Sequence, residues 1–168
     1  MQPSALTMDR LGSSRLTDHM LIAATITTGL VAGLLFGFAC AVMPGLSRVD
    51  DAAFVAVMQS INRRILNGAF LACFVGAPVL TVAALVLEFA GDGHDVLPIV
   101  CAVLLTGVSY LITSAVNVPL NNAVDAAGAL EPSAVRARFE ARWVRWNIAR
   151  TLASAGAFGA LVWAVAVS

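Results

Sequence analysis

An all-α membrane protein with four transmembrane helices is the architecture this sequence predicts, and three observations predict it. The 168 residues are 60% hydrophobic and only 12% charged, whereas a soluble domain carries about 25% charge. Mean hydropathy is +0.88. The apolar residues fall in four long runs rather than recurring at the spacing of a single core-facing stripe, so the bilayer is the expected solvent.

Residues 1–19 are polar, with Arg10 and Arg15 offset by Asp9 and Asp18, and read as an N-terminal tail; residues 20–168 read as one membrane domain. The uncharged run 20–43 is long enough to cross roughly 30 Å of hydrocarbon at about 1.5 Å per residue. It ends without the small-residue pattern of a cleavage site, which favours a retained helix over a signal peptide. Gly29, Gly33 and Gly37 recur on one face and predict a close-packing seam. Pro44 and Gly45 are expected to stop this first span, since proline lacks an amide hydrogen.

From Ser47 to Arg64 the pattern changes. Phe54, Val57, Met58 and Ile61 recur at helical spacing among polar residues, which predicts an amphipathic interfacial helix between spans 1 and 2. The second span covers 65–89, with Pro78 as a kink point, and a turn at Gly91-Asp92-Gly93-His94-Asp95 follows. Pro98 opens the third span, 98–118. Residues 121–142 predict a polar, partly helical loop, and the fourth span covers 143–167, where Gly156 and Ala160 repeat the small-residue spacing. Both odd spans end in a proline turn, Met43-Pro44-Gly45-Leu46 and Val118-Pro119-Leu120-Asn121, as two related helical hairpins would.

Formal net charge is zero and every basic residue is Arg. With no positive excess and no basic stripe, nucleic-acid binding is excluded. Cys40, Cys73 and Cys101 sit in separate apolar runs and read as small hydrophobes. His19 and His94 have no neighbouring ligand at metal-binding spacing, so no metal site is expected. Four spans place the two long loops on one side, with eight arginines (48, 63, 64, 136, 138, 142, 145 and 150) against Arg10 and Arg15 on the other. The positive-inside rule then puts these loops in the cytoplasm of a multi-pass protein of the plasma membrane. The lipid bilayer is the expected partner, and a homo-oligomer is compatible with the sequence.

Polar residues that enter or border spans are the candidate site, because unpaired polarity there is costly. Trp143, Asn147 and Arg150 fall at i, i+4 and i+7, one stripe of a helix carrying an aromatic, an amide and a guanidinium. Asn117 and Asn121 flank Pro119, and Asn62 and Asn67 flank the start of span 2. The competing account is structural: asparagines cap broken helices, and tryptophans such as Trp146 belong to an interfacial belt.

The runs Val42-Met43-Pro44-Gly45-Leu46, Met58 to Asn67, Asn117-Val118-Pro119-Leu120-Asn121 and Trp143 to Thr151 together resemble the anthrone oxygenase-like family, over nearly the whole chain after the tail. The resemblance implies a four-helix membrane protein that oxidises polyketide anthrones to anthraquinones with molecular oxygen, without metal, flavin or other cofactor. It implies a small hydrophobic aromatic substrate entering from the bilayer. Under that reading Arg150, Asn117 and Asn121 stabilise the substrate oxyanion as catalytic residues, and Trp143, Trp146, Asn147, Asn62 and Asn67 bind the substrate. One departure is Ile148, where many relatives carry histidine. Asp125 and Glu140 read as partners of the loop arginines rather than as a base. The alternative function is a non-catalytic membrane module binding a lipid, a quinone or a partner membrane protein. A transporter ranks below both, because one four-span bundle leaves little room for alternating access.

Overall fold

The computed structural model describes residues 5–91 and 96–167, with backbone alone for residues 5–14. Most of the expected turn after span 2, including His94, lies outside the described residues. Among the described residues seven α-helices follow one another: α1 (Ala5–Gly37), α2 (Met43–Leu46), α3 (Asp51–Ile65), α4 (Gly68–Ala90), α5 (Leu97–Ile112), α6 (Val118–Asp125) and α7 (Pro132–Val167). Two π-helical segments join them into longer rods, Phe38–Val42 between α1 and α2 and Thr113–Asn117 between α5 and α6. Among the described residues four rods are long and apolar enough to cross a membrane: Arg15–Leu46, Gly68–Ala90, Leu97–Asp125 and Pro132–Val167. The all-α, four-span membrane architecture read from the sequence is the one observed.

The two π segments change what the prolines do. Pro44 was expected to end span 1, yet the helix runs through it to Leu46. A proline has no N–H for the carbonyl four residues back, and its ring crowds that carbonyl. A widened turn just upstream relieves the clash. Met43 N accordingly bonds to Phe38 O and Val118 N to Thr113 O, both five residues back. Each π segment ends two residues before its proline, Pro44 in one case and Pro119 in the other.

The rods also extend beyond the sequence estimates. α1 takes in most of the stretch read as a tail, starting at Ala5. The partly helical loop after span 3 resolves into α6 and the first turns of α7, joined by residues 126–131, where Gly128 takes φ +54° in the turn. α7 starts at Pro132 rather than near Trp143. Proline suits a first helical turn, whose N–H would be unbonded in any case.

Around the bundle, α1 lies beside α4 and α7, and α5 completes the ring against α4 and α7. Its outside is oily and its inside small: Leu30, Val86, Leu111 and Leu152 are exposed, whereas Ala24, Ala84, Ala102 and Ala157 are fully enclosed. Small interior residues let the backbones approach, the packing that lipid favours. Only part of the glycine seam serves this. A Cβ at Gly29 would sit 2.8 Å from the Phe158 ring, while Gly33 and Gly37 face open space.

A second core lies at the loop end, where α3 packs on α6 and α7 through Phe54, Met58, Val124, Phe139 and Trp143. Asp50 caps α3 by accepting from Ala53 N at 2.8 Å. Arg136 fastens the α2–α3 junction. Its Nη1 donates to Val49 O and Asp51 Oδ1, its Nη2 to Ser47 O, and its Nε to Glu140. Its guanidinium also covers the Phe54 ring at 4.6 Å. Glu140 is therefore the structural partner the sequence suggested.

Candidate functional site

Beneath this loop-end core, polar side chains from spans 3 and 4 meet inside the bundle. Residues 143, 147 and 150 of α7 all face inward, with Trp143, Asn147 and Arg150 at 3%, 0% and 7% exposure. The stripe expected from their spacing is real. Arg150 lies about 4.5 Å, just under one helical turn, deeper than Asn147.

Arg150 is the centre of the cluster. Its Nε and Nη2 both donate to Asn147 Oδ1, at 3.1 and 3.0 Å, and its Nη1 donates to Thr113 Oγ1 at 3.3 Å. The guanidinium carbon stands 5.3 Å from the Trp143 ring centre. All of these contacts are to neutral groups, and no ion pair to Arg150 exists among the described residues. A buried cation with no anion beside it is costly in so apolar a setting.

The amide of Asn147 orients this centre from the other side, donating to Leu35 O of α1 at 3.2 Å. Thr151 returns its hydroxyl to Asn147 O at 2.6 Å. The π segment of span 3 supplies the opposite wall. Thr113 opens that segment, donating to Ser109 O while accepting from Arg150. Asn117 closes it, fully enclosed, with Nδ2 directed at Trp143 O over 3.4 Å. Its Oδ1 is buried and has no hydrogen-bond partner. One turn below, Ser109 and Ser154 share a hydrogen bond of 2.8 Å that pins the two spans together.

The other sequence candidates divide. Asn121 accepts from Trp143 Nε1 at 2.8 Å and so fixes the indole that covers Arg150. Asn62 donates to Asn121 O and Asp125 Oδ1, both at 3.3 Å, and is therefore a support of that wall at one remove. Asn67 does not reach the cluster. Its Oδ1 accepts from Phe70 N and its Nδ2 donates to Arg64 O, making it the exposed N-cap of α4. Trp146 is half-buried, and no hydrogen bond or ring contact joins it to Arg150 or Trp143.

Sequence reasoning missed Thr113, Ser109, Ser154 and Gln59, whose Nε2 holds Val124 O at 2.9 Å. The one available signal was the spacing of Thr106, Tyr110, Thr113 and Asn117 on a single face of an apolar run. Ile148 sits on the opposite side of α7, 45% exposed, lining an open groove with Val144 and Arg145. A side chain at this position projects away from Arg150.

A family model described as anthrone oxygenase matches residues 63–160, more than half of the chain. The matched stretch holds Thr113, Asn117, Asn121, Trp143, Asn147 and Arg150, while Asn62 falls just outside it. No curated protein and no solved structure matches the chain.

Proposed function

Because the chain belongs to the anthrone oxygenase family, we propose that it is a membrane-embedded oxygenase that converts the activated methylene of an anthrone-like, polycyclic phenolic substrate into a quinone carbonyl with molecular oxygen, without metal or flavin. The observation that supports this most directly is Arg150, buried and bonded only to neutral oxygens.

In this reading the substrate carbonyl sits at Arg150. Loss of a methylene proton turns that carbonyl into an enolate oxygen, and a nearby guanidinium in a dry site favours the charged form. The electron-rich enolate carbon gives an electron to oxygen, and the resulting radical pair combines into a C–O bond to a peroxide. The peroxide takes up the first proton. The second C–H bond and the O–O bond then break together, leaving the carbonyl and one water. One oxygen molecule is consumed and no external reductant is needed. Trp143 offers its ring face to the flat substrate.

The long loops are assigned to the cytoplasmic side of the plasma membrane. The support is the exposed arginines at that end, Arg48, Arg63, Arg64, Arg138, Arg142 and Arg145.

The test is quinone formation from anthrone by purified protein in oxygenated buffer, compared with Arg150→Met. Removing the group that holds the oxyanion should lower the rate by about two orders of magnitude. Equal rates in the two proteins, or no rate above the uncatalysed oxidation, sink the proposal. A second reading, a non-catalytic module that binds a quinone or lipid carbonyl, is favoured by the chemistry of the cluster, in which every group bonded to Arg150 is an amide or a hydroxyl. Binding of anthraquinone without any turnover would select it.

A further inference from the structure

Among the described residues, four buried side-chain oxygens have no hydrogen-bond partner: Thr28 Oγ1, Thr106 Oγ1, Tyr110 Oη and Asn117 Oδ1. Three of them belong to span 3. Residues 106, 110, 113 and 117 follow one another at the spacing of a single helix face, and Thr113 on that face is the residue bonded to Arg150.

Thr28 of span 1 stands at a comparable depth. The bond from Asn147 to Leu35 O sets Leu35 near the level of the Arg150 cluster. Thr28 lies seven residues deeper than Leu35, and Thr106 seven residues deeper than Thr113, in both cases about 10.5 Å further from the loop end. Thr28 and Thr106 are 3% and 5% exposed. Hydrocarbon offers such groups no water, so their burial is tolerated where something else bonds them.

The loop-end half of α4 is loosely packed. No residue from Gly68 to Gly76 of α4 is buried, although the same helix encloses Ala77, Thr81 and Ala84 further on. A stack of rings crosses from this half of α4 to span 3. Phe70 and Phe74 lie 5.2 Å apart, and Phe74 and Tyr110 lie 4.4 Å apart at an interplanar angle of 21°.

We infer that the Arg150 site is one end of a longer cleft reached laterally beside α4, and that Tyr110 and Thr106 at its far end determine specificity by holding a second oxygen of a flat ligand. The ligand lies along the polar face of span 3, one oxygen at Arg150 and Asn117 and the other at the Tyr110 and Thr106 hydroxyls. The Phe70, Phe74 and Tyr110 stack forms the apolar wall past which its rings slide. This inference rests on the proposed reading of Arg150 as the group that holds the first oxygen.

The experiment measures binding of two probes to the full-length protein in lipid nanodiscs: fluorenone, with one carbonyl, and anthraquinone, with two carbonyls on opposite edges. Tyr110→Phe and Thr106→Val remove only hydroxyls and keep shape, and melting temperatures check that both variants fold. The expected result is that each variant loses about tenfold in affinity for anthraquinone, the value of one hydrogen bond, with fluorenone binding unchanged. Arg150→Met should weaken both probes. If neither hydroxyl substitution alters the ratio of the two affinities, or if both probes shift equally as they would were the hydroxyls served by water alone, the far end is not a binding surface. If the wild type binds neither probe, or Arg150→Met changes nothing, the Arg150 reading itself fails and the extended cleft falls with it.

Discussion

Arg150 places two of its nitrogens on a single oxygen of Asn147, at 3.1 and 3.0 Å. A carboxamide oxygen can satisfy those donors but cannot cancel the charge. The pairing therefore orients the guanidinium and leaves its positive charge available, which a carboxylate in the same place would not.

Asn147→Asp tests this distinction. The exchange keeps the acceptor oxygen and creates a buried ion pair, at the loss of the bond from Nδ2 to Leu35 O. A paired buried charge is held more tightly than an uncompensated one, so the melting temperature should stay level or rise. Binding of carbonyl-bearing ligands should drop by at least about tenfold, because the cation is already neutralised. Unchanged ligand affinity in this variant would show that the charge of Arg150 is not what the site uses.

Asn117 offers the complementary case of a residue that costs stability where it stands. Its Oδ1 is enclosed without a partner and its Nδ2 makes one long bond of 3.4 Å. An unsatisfied buried acceptor costs about 1–3 kcal/mol. Asn117→Leu, of similar volume, should therefore raise or preserve resistance to unfolding in detergent titration while abolishing turnover or ligand binding. A clear loss of stability would mean that Asn117 is a packing residue.

How far the sequence could be read depends on which signal each feature leaves. The spans are written as uninterrupted apolar runs, and Trp143, Asn147 and Arg150 declare their shared face by spacing alone. Thr113 shares a face with Thr106, Tyr110 and Asn117 by spacing, but that mark is weak, because hydroxyls in apolar helices commonly turn back on their own main chain, as Thr25, Thr81 and Thr151 do. Only the neighbouring span distinguishes it. The prolines were visible, but not that a π turn would absorb them and carry Asn117 inward. Asn67 was misplaced for a local reason: an asparagine directly before Gly68 and a long apolar run is an N-cap signal, and it was read as part of a polar cluster.

At the loop end, Arg136 reaches two main-chain carbonyls, Ser47 O and Val49 O, as well as Asp51 and Glu140. Replacing it by Met should lower the melting temperature more than Asp51→Asn does, since Met leaves both carbonyls and both acids without their donor. Added salt should narrow the difference between wild type and Asp51→Asn, because that pair is partly exposed. Equal effects of the two substitutions would assign the clamp to the Asp51 ion pair alone.

The glycines of span 1 make the last prediction, because three positions of identical chemistry sit in different surroundings. A methyl group at Gly29 would stand 2.8 and 3.1 Å from two atoms of the Phe158 ring, whereas Gly33 and Gly37 have nothing within 4 Å. A phenyl ring moves as a plate, so relief requires Phe158 to change rotamer or α1 and α7 to separate. Overpacking of this kind costs about 1–3 kcal/mol. Gly29→Ala should thus destabilise the bundle, while Gly33→Ala and Gly37→Ala should be neutral or slightly stabilising, alanine being the better helix former. Adding Phe158→Ala to Gly29→Ala should recover part of the loss, a coupling expected only between residues in contact. Additive effects in that double variant, or equal losses at all three glycines, would place the α1–α7 seam somewhere other than at the Gly29–Phe158 contact.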